Sequence, residues 1–510
     1  MPGLFRNPVI PGFHPDPSIC RVGDDYYLVT SSFEWFPGLP LFHSRDLVNW
    51  RQLGHVLDRP SQLDLDGMRP NGGIYAPTLR HHDGVFYVIT THVGGGGHFV
   101  VTATDPAGPW SEPHWIEGDG IDPSLFFDTD GRAWIMATRG KAEQAHDGDN
   151  EIWLREFDVA AMKPVGEEHV IWDGALKVSV WPEGPHLYRI GDWYLLLVSE
   201  GGTEADHALV VARSRSVTGP YVPNLRNPIL THRHLSRRHP IGCVGHADLV
   251  QTPAGEWWMV LLGMRTGSNL GRETFLTRVE WEDDWPVVSQ VEAVATAPDL
   301  PPHPWPALPA CDRFDAPDLA PHWAQLRTPR EDHWSTRDGR LRLRLRPERL
   351  GDPVNPGLLA RPVQDLDFAA HLSVDVPPGG EAGLALLLND WRSLRLVVSD
   401  RGLELVRRAG EEAEEEVLAR ADCRPRLLGV EAHGAEHRFR YAVEPGGWQE
   451  LAVVDGSFLS PSAPGDFTGV CIGPYAHGDA GDTGDTGDAE RFAAFDWFEY
   501  LPLPPMPSAG

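Results

Sequence analysis

The residues best suited to chemistry are three acids that open similar short segments: Asp16 in HPDPSI, Asp122 in GIDPSL and Glu183 in WPEGPHL. Hydrolysis of a neutral, stable acetal takes one protonated carboxylic acid to assist the leaving oxygen and one ionised carboxylate to activate water or attack the sugar. Carboxyls crowded together with partial burial acquire separated pKa values, so one cluster can supply both protonation states at one pH. Taken singly, each acid has a plainer reading. Asp16 and Asp122 would be Asx turns before a proline, and Glu183 a turn or surface residue beside Gly and Pro. What favours the joint reading is that all three stand at nearly one station of an internal repeat.

The repeat has a period of about 50 to 60 residues, the kind of self-similarity that marks propellers and arrays. Its copies are DPSICRVGDDYYLVTSS from Asp16, APTLRHHDGVFYVITTH from Ala76, DPSLFFDTDGRAWIMATR from Asp122, EGPHLYRIGDWYLLLVSE from Glu183 and HADLVQTPAGEWWMVLLG from His246. Each is a short apolar strand, a Gly/Asp turn and an aromatic-rich strand, which reads as a β-hairpin. Further strands, such as LPLFHSRDLVNWRQLG and ALVVARSRSVTGPY, fill the gaps. Four-stranded sheets repeated around a channel make a β-propeller, and five copies imply five blades; the alternative is a β-sandwich with chance resemblance between hairpins. Because the innermost strand of each blade lines the channel, the acids should face one cavity. Ala76 at the same station shows that the fold does not itself require an acid there.

Residues 298–309, PDLPPHPWPALP, hold six prolines in twelve residues and forbid a central strand. They divide an expected propeller over 1–297 from a second domain over 310–510. Beyond them GRLRLRLR alternates Leu inward and Arg outward, and FAAHLSVDV places its apolar residues on one face, so a two-sheet β-sandwich is expected and the whole chain is all-β. The acidic GDAGDTGDTGDAE stretch from Gly478 lacks the GGxGxD register of a calcium repeat and reads as a solvated loop.

A formal charge of -29 argues against nucleic acid or anionic membrane as partners and suits a neutral substrate. Five scattered cysteines, with no CxxC pair, suggest neither a disulfide framework nor a zinc site. The start MPGLFRNPVIPGFHPDPS has no basic segment followed by an apolar core, and the chain is read as cytoplasmic. The oligomeric state is left open, a homo-oligomer included.

At these residues the sequence resembles family 43 of the glycoside hydrolases, in particular its β-xylosidase and α-L-arabinofuranosidase members with an appended β-sandwich. The motifs that carry the resemblance run nearly the length of the chain. They include NPVIPGFHPDPSICRVGDDYYLVTSSFEWFPGLPLFHSRDLVNW, GGIYAPTLR, GIDPSLFFDTDGRAW, WPEGPHLY, SEGGTEADHALVVARSRSVTGPY, GHADLVQTPAGEWW and NLGRETFLTRVEWEDDWPVV. The resemblance implies a five-bladed propeller followed by a concanavalin A-like sandwich, and exo-acting hydrolysis with inversion that releases xylose or arabinofuranose from xylo-oligosaccharides or arabinoxylan fragments. It assigns the general base to Asp16, the general acid to Glu183, and to Asp122 the orienting of that acid and the raising of its pKa. Arg272 in LGRETF would hydrogen-bond the sugar before the scissile bond, against a surface salt bridge with Glu273 as the plainer reading. His246 would sit at the propeller axis, touching substrate and ligating a calcium ion otherwise held mainly by water. Calcium prefers oxygen ligands, so a hydrogen bond from His246 to Asp248 or to a channel carboxylate stands beside that reading. No organic cofactor is implied.

Aromatic rings should wall the pocket, since the CH-rich faces of a pentose pack on rings while its hydroxyls need polar partners. Phe33, Trp35, Phe36 and Tyr75 follow inner-strand segments and are the candidates; the alternative is that they pack blades, as Tyr26, Tyr194 and Trp258 should. Tyr75 stands where the family usually carries Trp, which alters pocket width or adds a hydroxyl donor. A retaining five-bladed fructan hydrolase would need the WMNDPNG and RDP motifs, which are missing. A non-catalytic carbohydrate-binding propeller would have no use for a costly carboxylate cluster. The sandwich is expected to brace the propeller or, preferably, to cover its mouth so that only chain ends enter.

Overall fold

The computed structural model describes residues 3–175, 179–461, 465–478 and 491–504. Of the acidic stretch 478–490, all but Gly478 lie outside the described residues. Each of the five repeat copies forms the two inner strands of an antiparallel sheet. Blade 1 runs Ser18–Val22, Asp25–Val29, Gly38–Ser44 and Arg51–Leu57 outward from the axis, and blade 3 runs Ile121–Phe127, Ala133–Gly140, Asn150–Asp158 and Lys163–Trp172. The inner strands of blades 2, 4 and 5 are Thr78–His82, Glu183–Ile190 and Ile241–Gln251. Each inner strand touches its neighbours in turn, and the last touches the first, so the sheets close into a ring. Leu4–Arg6 pairs with Val294–Thr296, and Ile10 bridges Thr274, so the N-terminal segment is held against the end of the propeller chain and the third strand of blade 5.

An apolar cluster fills each seam between blades. Ile19, Tyr26 and Leu28 pack on Val250, Trp258 and Val260 between blades 1 and 5, and Phe126 and Met136 meet Leu187 and Tyr194 between blades 3 and 4. Tyr26, Tyr194 and Trp258 are thus blade-packing residues. The same seams carry buried hydrogen bonds two residues beyond the station of the acids. Leu79 donates to Ser18 Oγ (2.9 Å), Thr78 Oγ1 to the Pro123 carbonyl (3.0 Å), and Ser124 Oγ to the Pro185 carbonyl (2.6 Å). Asp248 closes the remaining seams. It accepts from Ser18 Oγ (2.7 Å), the Ile19 amide (3.0 Å), Arg80 Nη1 (2.7 Å) and Tyr188 OH (2.6 Å). The Arg80 charge and these hydrogen bonds more than offset the burial that disfavours its anion, and hold its pKa far below the usual range.

Residues 311–502 form two packed sheets. One contains Leu341–Arg344, Asp367–Asp375 and Phe492–Pro502; the other contains Glu381–Asn389, Arg392–Ser399 and Cys471–His477. Leu341 and Leu343 are buried and their arginine neighbours half-buried, as the alternation requires, and Phe368, Ala370, Leu372 and Val374 share the core. Among the described residues the only helical turn is Ser457–Leu459. The domains are joined by pairing as well as packing: Trp35–Phe36 of the propeller forms a two-stranded sheet with Gln325–Leu326. The buried Arg327 donates to the Met68 carbonyl (2.7 Å) and pairs with Asp390.

Replacing Asp248 with Ala strands the Arg80 cation and frees four donors at the axis. Loss of one partner of a buried pair costs about 3–5 kcal/mol. The urea midpoint of Asp248→Ala is therefore expected to fall by a corresponding amount, with an unchanged midpoint showing that the hub is dispensable.

Candidate active site

The acids reach the axis because the backbone is bent to aim them. Asp16, Asp122 and His246 all have positive φ (53°, 54° and 46°), a conformation costly for residues with a Cβ and concentrated at functional sites. Ladder irregularities follow Ile121, Glu183 and Gly245, and bulges of this kind re-aim side chains. The station is not shared perfectly. Counting three residues back from Ile19, Leu125, Leu187 and Leu249 gives Asp16, Asp122, Gly184 and His246, so Glu183 stands one residue earlier. Gly184 takes the station's positive φ (58°), and a Cβ there would lie 3.0 Å from the His246 ring. Glycine is what lets the chain turn at this point and present Glu183 from the preceding position.

Asp16, Asp122, Glu183, His246, Arg272, Phe33 and Tyr75 line one small pocket of about 60 Å³, with Ala76, Ile121, Thr203 and Phe467. The carboxyls differ in their partners. Asp16 is buried, takes a 3.0 Å ion pair from Arg272 Nη1, accepts from Ser31 Oγ (2.5 Å) and lies 3.8 Å from His246 Nδ1. Burial opposes its charge, but Arg272, His246 and Ser31 together outweigh burial and hold its pKa below the usual carboxylate range. Asp122 accepts from the Gly184 amide (3.2 Å), and burial together with the nearby Asp16 pushes it up to about 6. Glu183 is half-buried, but its Oε1 is fully sheltered and has no hydrogen-bond partner. Burial, then Asp122 and Asp16, raise its pKa well above the ordinary value. The pocket thus sets a carboxyl held towards its anion beside one pushed towards its protonated form. Neither aspartate is spent on a local Asx turn.

The plainer reading of Arg272 does not hold, because Glu273 is engaged instead by both ends of Arg265 (2.7 and 2.8 Å). His246 makes no bond to Asp248, which is saturated at the hub described above. Two of the four aromatic candidates stand elsewhere. Trp35 and Phe36 are committed to the interdomain strand pair and do not line the acid pocket: Phe36 packs in the core of blades 1 and 2, and Trp35 in one cluster with Phe33, Tyr75 and Phe467, a non-local pairing invisible in the repeat. Phe33 and Tyr75 are in place, 5.2 Å apart between ring centres, and the Tyr75 hydroxyl is spent on the Asn71 carbonyl (2.9 Å). The third ring of the wall is Phe467, from the sandwich. It stacks on Phe33 at 5.7 Å, its carbonyl accepts from Arg272 Nε (3.2 Å), and its amide donates to Asn71 (2.9 Å). The sandwich therefore completes the pocket. Its approach is so close that a Cβ on Gly271 would lie 2.7 Å from Gly469 Cα. Phe467 belongs to no repeat and precedes an ordinary-looking strand, so only the fold reveals it.

The calcium ion implied at His246 fits these side chains poorly. The nearest carboxylate oxygen, on Asp16, is already held by Arg272. Among the described residues no group of three or more His, Cys, Asp or Glu is arranged to hold a metal. Calcium favours six to eight oxygen ligands.

A pocket at a propeller axis that sets a protonated carboxyl against an ionised one has the equipment of a glycoside hydrolase. Comparison with known proteins agrees. Residues 5–286 match the glycosyl hydrolases family 43, and residues 311–501 match the β-xylosidase C-terminal concanavalin A-like domain. A xylosidase/arabinosidase of Butyrivibrio fibrisolvens is 45% identical over 413 residues, 78% of this chain and 80% of the relative. A non-reducing end α-L-arabinofuranosidase of Bacteroides ovatus is 38% identical over 507 residues, 93% of this chain and 92% of the relative. The crystal structure of a xylan β-1,4-xylosidase from Bacillus halodurans superposes with a TM-score of 0.88 at 35% identity, covering 98% of this chain and all of that one. The chain belongs to family 43 of the glycoside hydrolases.

Gly184 and Gly191 have nearly the same positive φ (58° and 57°), but a Cβ on Gly191 meets nothing within 4 Å. Alanine at either position is expected to cost about 1 kcal/mol of stability through strain. Only Gly184→Ala should also lower kcat, by about tenfold or more, because it displaces His246 and Glu183. Equal rates in the two variants would show that this close packing does not position the acid.

Proposed function

We propose that the protein is an exo-acting, inverting pentosidase that releases terminal xylose or arabinofuranose from xylo-oligosaccharides or arabinoxylan fragments. The observation that carries this reading is the asymmetry within one pocket: Asp16 is paired with Arg272, while Glu183, buried beside Asp122 and Asp16, is pushed towards its protonated form and leaves Oε1 unpartnered. Water held by Asp16 attacks the anomeric carbon as Glu183 protonates the departing oxygen. The bond to the leaving oxygen breaks, and the water proton passes to Asp16. Asp122, through its negative charge, raises the Glu183 pKa and holds the Gly184 amide that adjoins it. Arg272 and the rings of Phe33, Tyr75 and Phe467 would hold the sugar. A small pocket walled on one side by the second domain suits a chain end rather than the middle of a polymer. The names of the relatives, a xylosidase/arabinosidase and an arabinofuranosidase among them, support the pentose class.

Asp16→Ala, Glu183→Gln and Asp122→Asn are each expected to lower kcat on aryl xyloside or aryl arabinofuranoside by about 10²–10⁴-fold. Near-normal rates in all three would overturn the assignment. The proton NMR spectrum of the first-formed sugar should show the anomer opposite to that of the substrate.

The rate should follow a bell-shaped pH profile. Activity is lost at low pH as Asp16 gains a proton, and at high pH as Glu183 loses one. Removing the Asp122 charge lowers the Glu183 pKa, so Asp122→Asn should move the alkaline limb to lower pH. An alkaline limb that stays in place or moves the other way would remove Asp122 from the control of Glu183.

No step of this scheme uses calcium. Dialysis against EDTA is expected to leave the rate within about twofold, and a larger loss restored by calcium chloride would return the ion to His246.

A further inference from the structure

A second cavity lies apart from the acid pocket, between blade 1, the proline-rich segment and the sandwich. It encloses about 410 Å³, within the usual range of about 300–1,000 Å³ for small-molecule sites. Its rings are Phe13, Trp35, Phe42, Trp50 and Trp305. Its charges are one-sided. In a chain of net charge -29, no Asp or Glu side chain lines it, while Arg51 and Arg361 do. The cavity histidines His14 and His55 are neutral at ordinary pH, since burial draws their pKa values down to about 3 and about 4.

Arg361 is the unusual group. It is 7% exposed, and among the described residues no carboxylate pairs with it directly, Asp365 and Asp312 acting on it only from beyond ion-pair distance. Nη2 donates to Gln364 Oε1 (2.7 Å), the guanidinium stacks over the Tyr500 ring at 4.6 Å, and Nε has no partner. Burying an unpaired charge is costly, and other buried arginines here meet an acid: Arg272 meets Asp16, Arg327 meets Asp390 and Arg395 meets Glu415.

We propose that this interdomain cavity is a second binding site, separate from the acid pocket, that takes a small aromatic carboxylate. The carboxylate supplies the directly paired anion that Arg361 lacks, and the ring occupies the aromatic enclosure. A neutral sugar leaves the guanidinium without a direct ion pair, and a cation meets the like charge of Arg51 and Arg361. The site adjoins the catalytic machinery, because Ser31 lines the cavity and donates to Asp16 Oδ2.

The test is isothermal titration of the full chain with benzoate, with benzyl alcohol and with xylose, alongside indole fluorescence of the three tryptophans in the wall. Benzoate is expected to bind the wild type one to one and to quench the fluorescence. Benzyl alcohol should bind about tenfold more weakly or less, the usual measure of a lost charge-assisted hydrogen bond. Arg361→Gln should weaken benzoate by about tenfold while hydrolysis of the aryl glycoside persists. No binding of benzoate to the wild type at about 5 mM, or equal affinity for benzoate and benzyl alcohol, overturns the proposal without any variant. Undiminished binding by a folded Arg361→Gln protein overturns it as well, and places the ion elsewhere.

Discussion

Three carboxyl groups can share one dry hollow only if something fixes which of them is charged, and in this protein that is the Arg272 guanidinium. Its ion pair with Asp16 makes one acid a stable anion, and that anion then disfavours charge on Asp122 and Glu183. The same side chain donates to the Phe467 carbonyl and lies over the Phe33 and Phe467 rings at 5.5 and 5.1 Å. Charge assignment, aromatic wall and domain docking therefore meet in one residue, itself 4% exposed. A lysine could supply the charge but not the planar fork that makes several directed contacts at once.

Holding that arrangement requires a ring that does not breathe. The seam hydrogen bonds lie directly beneath the acids, and Asp248 ties four of the five blades together through Ser18, Arg80, Tyr188 and its own strand. Close packing does the rest. Each seam has its own apolar cluster, so a shift of one inner strand is resisted from both sides. The strain of positive φ at Asp16, Asp122 and His246 is sustained by this surround.

Much of this was legible in the sequence because a propeller repeats its hairpin. The turn and aromatic positions that recur from Asp16 to His246 mark all five inner hairpins, and the acids at their starts meet at the axis. The alternation of GRLRLRLR likewise marks a sandwich strand. What local pattern could not convey was pairing between distant segments. Trp35 and Phe36 look like pocket aromatics beside Phe33, yet their backbone pairs with Gln325–Leu326 and turns them into the interface. Phe467 has no signal at all, since its place depends on how two domains dock. The offset of Glu183 from the other acids was visible only as a one-residue slip, and its meaning came from the bend at Gly184.

The contribution of Phe467 carries a consequence for how the enzyme comes into being. Synthesis delivers every acid by residue 183 and the arginine by residue 272, but the last wall of the pocket arrives almost 200 residues later. A nascent propeller thus carries its reactive groups well before it has a finished chamber, and the chamber is closed only once the segment around Phe467 has been made and has settled against the propeller.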